Sequence, residues 1–341
     1  MPILCLLALT SAQVRIGPVG FYGLQPQVAT SGSRAFVACG QGDRVFVLAS
    51  KDAGRTFGSP VALPTTGKLM LGMRRGPRVA ISGRAVVVSA VYGQKGGGAD
   101  GDLFSWRSRD EGRTWVGPVR VSDVPGAARE GLHAMAASST GRLAATWLDL
   151  RGGGTEIWAA SSDDGGASWG KNVRVYRSPD GHVCECCHPS AAFGPKGELY
   201  VMFRNWLGGA RDMYLSASRD GGATFGAAQR LGVGTWPLNA CPMDGGSIGV
   251  AADGSVTTVW RRGGRVYLSQ PGKPETEVGE GFQPWMSGDG AVVWELKGRI
   301  FGMSGGKVRE LGAGSRPMVD GGLAVWADDA GVIWSERLGP Q

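Results

Sequence analysis

One turn pattern of eight residues recurs four times in this chain, and it narrows the fold more than any other feature. The copies are Ser50-Lys51-Asp52-Ala53-Gly54-Arg55-Thr56-Phe57, Ser108-Arg109-Asp110-Glu111-Gly112-Arg113-Thr114-Trp115, Ser162-Asp163-Asp164-Gly165-Gly166-Ala167-Ser168-Trp169 and Ser218-Arg219-Asp220-Gly221-Gly222-Ala223-Thr224-Phe225. They share the form S-x-D-x-G-x-[TS]-[WF], and neighbouring copies lie 54 to 58 residues apart. Each residue type has a physical task. The Asp carboxylate accepts nearby backbone N–H groups and closes a tight turn. The Gly permits a positive φ, and the aromatic ring packs between neighbouring sheets. Four copies at a regular period mark a repeat architecture.

The rest of the chain keeps the same rhythm. An X-Pro step opens many units: Gln25-Pro26, Gly76-Pro77, His188-Pro189, Gln283-Pro284 and Arg316-Pro317, with Leu132-His133 and the stretch after Cys241-Pro242 filling the other two places. Proline is tolerated at the first residue of a strand. A β-branched, apolar run follows in each unit, clearest at Ala85-Val86-Val87-Val88-Ser89-Ala90-Val91-Tyr92 and repeated at Leu143–Trp147, Leu199–Phe203, Val256–Trp260, Ala291–Trp294 and Leu323–Trp326. Such runs suit strands buried on both faces. Seven units result, beginning near residues 25, 76, 132, 188, 242, 283 and 316; six result if two late units merge. The seventh runs out after three strands, and Gln13-Val14-Arg15-Ile16 can supply its fourth and close a ring. The 59 glycines among 341 residues fit many short strands joined by tight turns.

The four boxes and their spacing resemble the Asp-box (BNR-repeat), sialidase-like β-propeller superfamily, over residues 25 to about 232. The resemblance implies an all-β fold of four-stranded blades, seven favoured here, where sialidases have six. It places the boxes on the turn between the third and fourth strands of a blade, on the face away from the active site. The linkers between blades and the loops between second and third strands then share the opposite, pocket-bearing face. Those segments carry Arg74, Arg75 and Arg78, Arg129, Glu130 and His133, the run His182-Val183-Cys184-Glu185-Cys186-Cys187-His188, Cys241, Met243 and Asp244, and the loop residues Asp149, Arg151, Arg204, Asn205, Arg261 and Arg262.

Three readings of that face stand side by side. A sialidase-like glycoside hydrolase needs arginines for a substrate carboxylate and carboxyl groups for proton transfer. Arg78, Arg204 and Arg262 are the candidate cluster, with His133 and Asp244 as further substrate-binding residues and Glu130 and Asp149 as the catalytic carboxylates. The family's early Arg-Ile-Pro motif is absent, with Gln25-Pro26-Gln27 near its place, and Tyr267 lies in a predicted third strand. In the second reading Cys184, Cys186, Cys187, His188 and Cys241 hold a soft metal, copper(I) or zinc. In the third, Cys241 forms a disulfide with one of Cys184, Cys186 and Cys187, and the face is a catalytic or non-catalytic binding platform. Trp206, Trp236 and Trp285 are its candidate ligand contacts. Only the second reading calls for a cofactor.

Composition limits the partners. The net charge is +7, yet no basic run exceeds the pairs Arg74-Arg75 and Arg261-Arg262, which argues against nucleic acid and leaves a glycan or other anionic small molecule as partner. Residues 1–12 are almost wholly apolar and end in Thr10-Ser11-Ala12, which reads as a signal peptide ahead of one propeller domain at 13–341 in a secreted or periplasmic protein. No other stretch approaches the roughly 20 apolar residues of a membrane span.

Overall fold

The computed structural model describes residues 13–339, and every regular element in it is a β-strand. The expected signal segment, with Cys5, lies outside the described residues. The strands form seven antiparallel sheets arranged as the blades of a propeller. Six have four strands; in the second blade a short strand, Lys68–Leu69, joins the others by pairing with Ala85–Gly93. Among the described residues no helix is long and apolar enough to cross a membrane.

The seven innermost strands are Leu24–Ser31, Arg78–Ser82, His133–Ala137, Ser190–Phe193, Ser247–Val250, Phe282–Met286 and Ser315–Asp320. Their starts match the seven unit starts read from the sequence. They surround an axial channel of about 300 Å³ to which all seven contribute. Ring closure also follows expectation. Val14–Ile16 pairs antiparallel with Ile333–Arg337, so the N-terminal segment is the outermost strand of the last blade.

Each junction between adjacent blades holds its own apolar cluster. Val37 and Leu48 of the first blade meet Val325 and Leu323 of the last; Leu148 and Ile157 of the third meet Val201 and Phe203 of the fourth. Trp106, Trp147 and Trp326 are among the largest fully buried side chains in these junctions. Burying one large apolar side chain contributes roughly 1.5–3 kcal/mol, so the ring is held by many similar interfaces rather than by one central core.

The boxes close their turns as their chemistry requires. In the first, Asp52 Oδ1 accepts from Ser50 Oγ (2.7 Å) and Thr56 N (2.9 Å), and Oδ2 accepts from Thr56 Oγ1 (2.6 Å). Ser50 Oγ in turn accepts from Gly54 N at 2.8 Å. The same bonds recur around Asp110, Asp164 and Asp220. The box Gly adopts φ +85° at Gly54 and +80° at Gly112, and its Cα faces the preceding blade: a Cβ on Gly54 would lie 2.5 Å from Leu323. Phe57, Trp115, Trp169 and Phe225 pack into the clusters shared with that blade. The box is thus a turn and an inter-blade contact together.

Candidate functional site

The linkers between blades and the loops between second and third strands meet on the face opposite the boxes, and an arginine crosses its centre. Arg74, on the linker before the second blade, is 1% exposed. Its Nε donates to Gln283 Oε1 (2.8 Å), its Nη2 to Gln283 O (2.6 Å) and its Nη1 to Pro317 O (3.1 Å), while its backbone N–H donates to Gln25 Oε1 (2.9 Å). Its guanidinium lies 5.4 Å from the Trp285 ring, which stacks on His188 at 5.4 Å. One residue thereby ties the second blade to the first through its backbone N–H and to the sixth and seventh through its side chain. Gln25, Gln283 and Arg316 precede prolines at the head of their inner strands with φ of 54°, 53° and 49°, each within a register shift. The X-Pro steps therefore mark bulged strand entries whose polar atoms reach the axis.

Two of the candidate arginines, Arg78 and Arg204, are buried and bond to backbone. Arg78 donates to Arg74 O (2.7 Å) and Pro77 O (3.0 Å). Arg204 donates to the carbonyls of Asp244 (2.8 Å), Arg211 (2.7 Å) and Arg261 (2.8 Å). Arg262 instead pairs with Glu275 at 2.5 Å and lies over Tyr267, which does sit in a third strand. The three guanidinium groups have separate partners; Arg204 and Arg262 line one small cavity with Arg211 and Trp236, and Arg78 lies outside it. Asp244 is fully buried; its Oδ2 accepts from Arg261 Nε (2.9 Å) and from the Gln283 N–H (2.8 Å).

The two candidate carboxylates differ sharply. Asp149 is fully buried, and both oxygens are engaged, by Trp147 Nε1 (2.7 Å), the Arg151 N–H (2.9 Å) and the Arg151 guanidinium (2.9 Å). Glu130 is half-buried, with Arg75 Nη2 at 3.6 Å. Burial pushes its carboxyl up, Arg75 and Arg129 oppose this, and the neighbouring Glu185 adds to it. His133 and His188 are held neutral. Burial, then the charge of Arg78, takes His133 down to about 3, and its Nε2 meets Ser89 Oγ at 3.0 Å. His188 is driven well below its ordinary value by burial and by Arg74, Arg78 and Arg204; its Nε2 is 3.1 Å from Gly246 O.

Cysteine chemistry collects at the linkers before the fourth and fifth blades. Cys186 and Cys241 form a disulfide, one of the pairings the spacing allowed. Cys184 and Cys187 are buried thiols beside it. Cys39, at the end of its strand, is buried in the junction of first and last blades, where burial pushes its thiol up to about 12. The Sγ atoms of Cys184, Cys186 and Cys187 all lie within 4.8 Å of one another. With Cys186 bonded to Cys241, the two thiols are the sulfurs free to hold a soft ion. His188 is turned toward Gly246 and Trp285.

Beside this cluster the surface becomes aromatic. Trp206, partly exposed on the loop between second and third strands of the fourth blade, has the Arg211 guanidinium 4.3 Å from its ring and stacks with His182 at 6.2 Å. The loop is pinned by Ser178 Oγ donating to Trp206 O (2.7 Å), by the Gly208 N–H donating to Asp180 (2.7 Å) and by the Arg211 N–H donating to Trp236 O (2.9 Å). Trp236 is itself covered by Arg204 and Arg261, at 5.1 and 5.0 Å. Sequence reasoning placed Trp206, Trp236 and Arg74 on this face. It assigned no role to Arg74, Gln25, Gln283 or Arg211. The repeated Gln-Pro step was the available signal for the two glutamines.

Comparison with known proteins agrees with this architecture. The family model described as the BNR repeat-like domain matches residues 79–260, more than half of the chain. No curated protein matches by sequence. Among solved structures, a protein of unknown function from Dyadobacter fermentans DSM 18053 is similar with a TM-score of 0.56 at 16% identity, over 96% of this chain and 98% of that one. The alpha-L-arabinanase of Penicillium chrysogenum complexed with arabinobiose gives 0.57 at 13% identity, over 97% and 98%. A Hadza microbial sialidase, Hz136, gives 0.53 at 13% identity, over 90% and 74%. At such identities the likeness is one of fold. The seven blades, the four boxes and the matched model together make this chain a member of the BNR repeat-like, sialidase-like β-propeller family.

Proposed function

We propose that the protein binds an anionic glycan on the face opposite the Asp boxes, with Trp206 and Arg211 at the centre of the contact. The observation that carries this reading is the partly exposed indole with a guanidinium 4.3 Å from its ring. An indole face stacks on the C–H surface of a sugar ring, and a guanidinium pairs with a carboxylate or sulfate. The pinned loop keeps both groups oriented, which lowers the ordering cost of binding. Propellers of similar fold include an arabinanase complexed with arabinobiose and a sialidase, so a glycan is a ligand that this architecture is able to carry. The disulfide suits an exported protein, in keeping with the apolar N-terminal segment. Calorimetric titration with sialyllactose, oligogalacturonate and a neutral oligosaccharide tests the reading. Saturable binding of an acidic ligand, lost in Trp206→Ala and about tenfold weaker in Arg211→Ala, is expected. Binding that Trp206→Ala leaves unchanged, or none to any acidic glycan, counts against it.

Glu130 favours a second reading, glycoside hydrolysis. A carboxyl raised by burial is suited to act as a general acid. Asp149, enclosed by Trp147 and Arg151, is poorly placed to assist it. Turnover of a fluorogenic sialoside that vanishes in Glu130→Gln supports this reading; equal rates in parent and variant remove it.

A further inference from the structure

Four sulfurs stand together on the linkers before the fourth and fifth blades, and they are not equivalent. Cys241 is exposed, Cys186 is 9% exposed, and Cys184 and Cys187 are almost completely enclosed. The outer two are bonded to each other. The inner two have the C-x-x-C spacing of Cys184-Glu185-Cys186-Cys187, and their Sγ atoms are 2.7 Å apart. That is well inside the ~3.5–4.0 Å at which even unbonded carbon atoms rest, and longer than the ~2.05 Å of a formed disulfide. From Cys186 Sγ to the inner sulfurs the distances are 3.7 Å (Cys184) and 4.0 Å (Cys187). A buried dithiol therefore lies in contact with one sulfur of a disulfide whose other sulfur is exposed.

We propose that these four cysteines form a dithiol–disulfide relay that moves two electrons between the enclosed pair and the surface. The Cys184 thiolate attacks Cys186 Sγ; the Cys184–Cys186 bond forms, the Cys186–Cys241 bond breaks, and Cys241 leaves as a thiolate. Cys187 then attacks Cys184 Sγ, forming Cys184–Cys187 and releasing Cys186. The inner pair is oxidised, the outer pair is reduced, and the protons of Cys184 and Cys187 pass to Cys186 and Cys241. No outside oxidant is consumed in this internal step. The reduced outer pair then presents a surface thiol at Cys241 to an external disulfide, of a small molecule or a protein. The inner pair is suited to its roles. Cys184 Sγ stands 3.7 Å from Cys186 Sγ and 2.7 Å from Cys187 Sγ, so it is placed both to attack the outer disulfide and to be attacked by its neighbour.

The test is disulfide mapping of the full chain after equilibration in glutathione buffers from reducing to oxidising, with acid quench, alkylation and peptide mass spectrometry. In the doubly oxidised state the relay requires both Cys186–Cys241 and Cys184–Cys187 linkages. The most oxidising buffer closes both in one molecule and leaves Cys39 alone of these five to alkylate. Cys187→Ser traps the Cys184–Cys186 bond and exposes Cys241 to alkylation. Should a variant fail to fold, the mapping of the unaltered chain decides alone. The relay is overturned if Cys184 and Cys187 remain alkylatable in every buffer, or if the chain holds one equivalent of a soft metal with all four cysteines reduced by elemental analysis and thiol count.

Discussion

The two faces of this propeller are built by opposite means. On the Asp-box face one short sequence makes one turn, four times over, and the bonds that close it repeat at positions such as Ser50, Asp52, Gly54 and Thr56, with arginines such as Arg34 and Arg142 reaching individual boxes from outside the turn. On the other face no two linkers are alike, and the bonds that matter join residues far apart in the chain. Arg74 reaches Gln283, 209 positions away, and Asp244 reaches the Gln283 N–H, 39 away. The first face could be altered one turn at a time with local consequences. The second is a buried charged network in which each member supports several blades, and such networks lose heavily when one partner is removed. The contrast shows why repeated motifs identify a fold while the irregular face carries whatever is particular to the protein.

The largest expected effect breaks the second face at Asp244. Asp244→Ala leaves the Arg261 guanidinium and the Gln283 N–H buried without their partner, and unfolding in urea should show a loss of about 3–5 kcal/mol. Asp163→Ala, which removes an exposed ion pair to Arg142 on the box side, should cost less than about 1 kcal/mol. Equal losses would erase the contrast.

Acid should then separate the faces by pH. His133 and His188 are depressed in the folded state, so the unfolded chain binds their protons first; their stabilising share is complete above about pH 6.5 and is lost as pH falls below it, for His133 down to about 3. His133 accounts for a slope on the order of 1.4 kcal/mol per pH unit in that window. The box carboxylates are depressed too; burial, the largest single influence, raises Asp164, but the bonds from Ser168, Ser162 and Ala167 together outweigh it and bring it to about 2, so its share is lost only from about pH 4 downward. Thermal melts from pH 8 to 3 should slope from 6.5, and His133→Gln should reduce that slope throughout the range from 6.5 to 3.

A smaller effect ranks the boxes themselves. Alanine at Gly54 meets both φ +85° and Leu323 at 2.5 Å, whereas at Gly112 it meets φ +80° and Phe36 at an ordinary 3.5 Å. Gly112→Ala should cost about 1–2 kcal/mol from backbone strain. Gly54→Ala should exceed it by about 1–3 kcal/mol from overpacking, read as the difference in Tm. Smallest of all, Glu130→Gln should shift stability by less than about 1 kcal/mol, which leaves it a clean probe of the site.

The same contrast explains what could be read from residues alone. The seven inner strands, and Val14–Ile16 as the closing strand, were legible because each depends on nearby Gly, Pro and β-branched residues. The sorting of Arg78, Glu130, His133, Cys184 and Arg204 onto one face followed from loop order. What those side chains bond to was not legible, because the acceptors of Arg204 and Arg74 are mostly backbone carbonyls of other blades, and every residue type has a carbonyl. The aromatic pair of Trp206 and Arg211 was hidden for the same reason: a six-residue span is drawn together by Asp180 and Trp236 from outside it.

Hydrogen–deuterium exchange with and without an acidic oligosaccharide tests the division of labour between the faces most directly. Protection should appear in 182–188, 205–212 and 236–244, with the box turns at 50–57, 108–115, 162–169 and 218–225 unchanged. Protection at the box turns, with none around Trp206, would contradict the account.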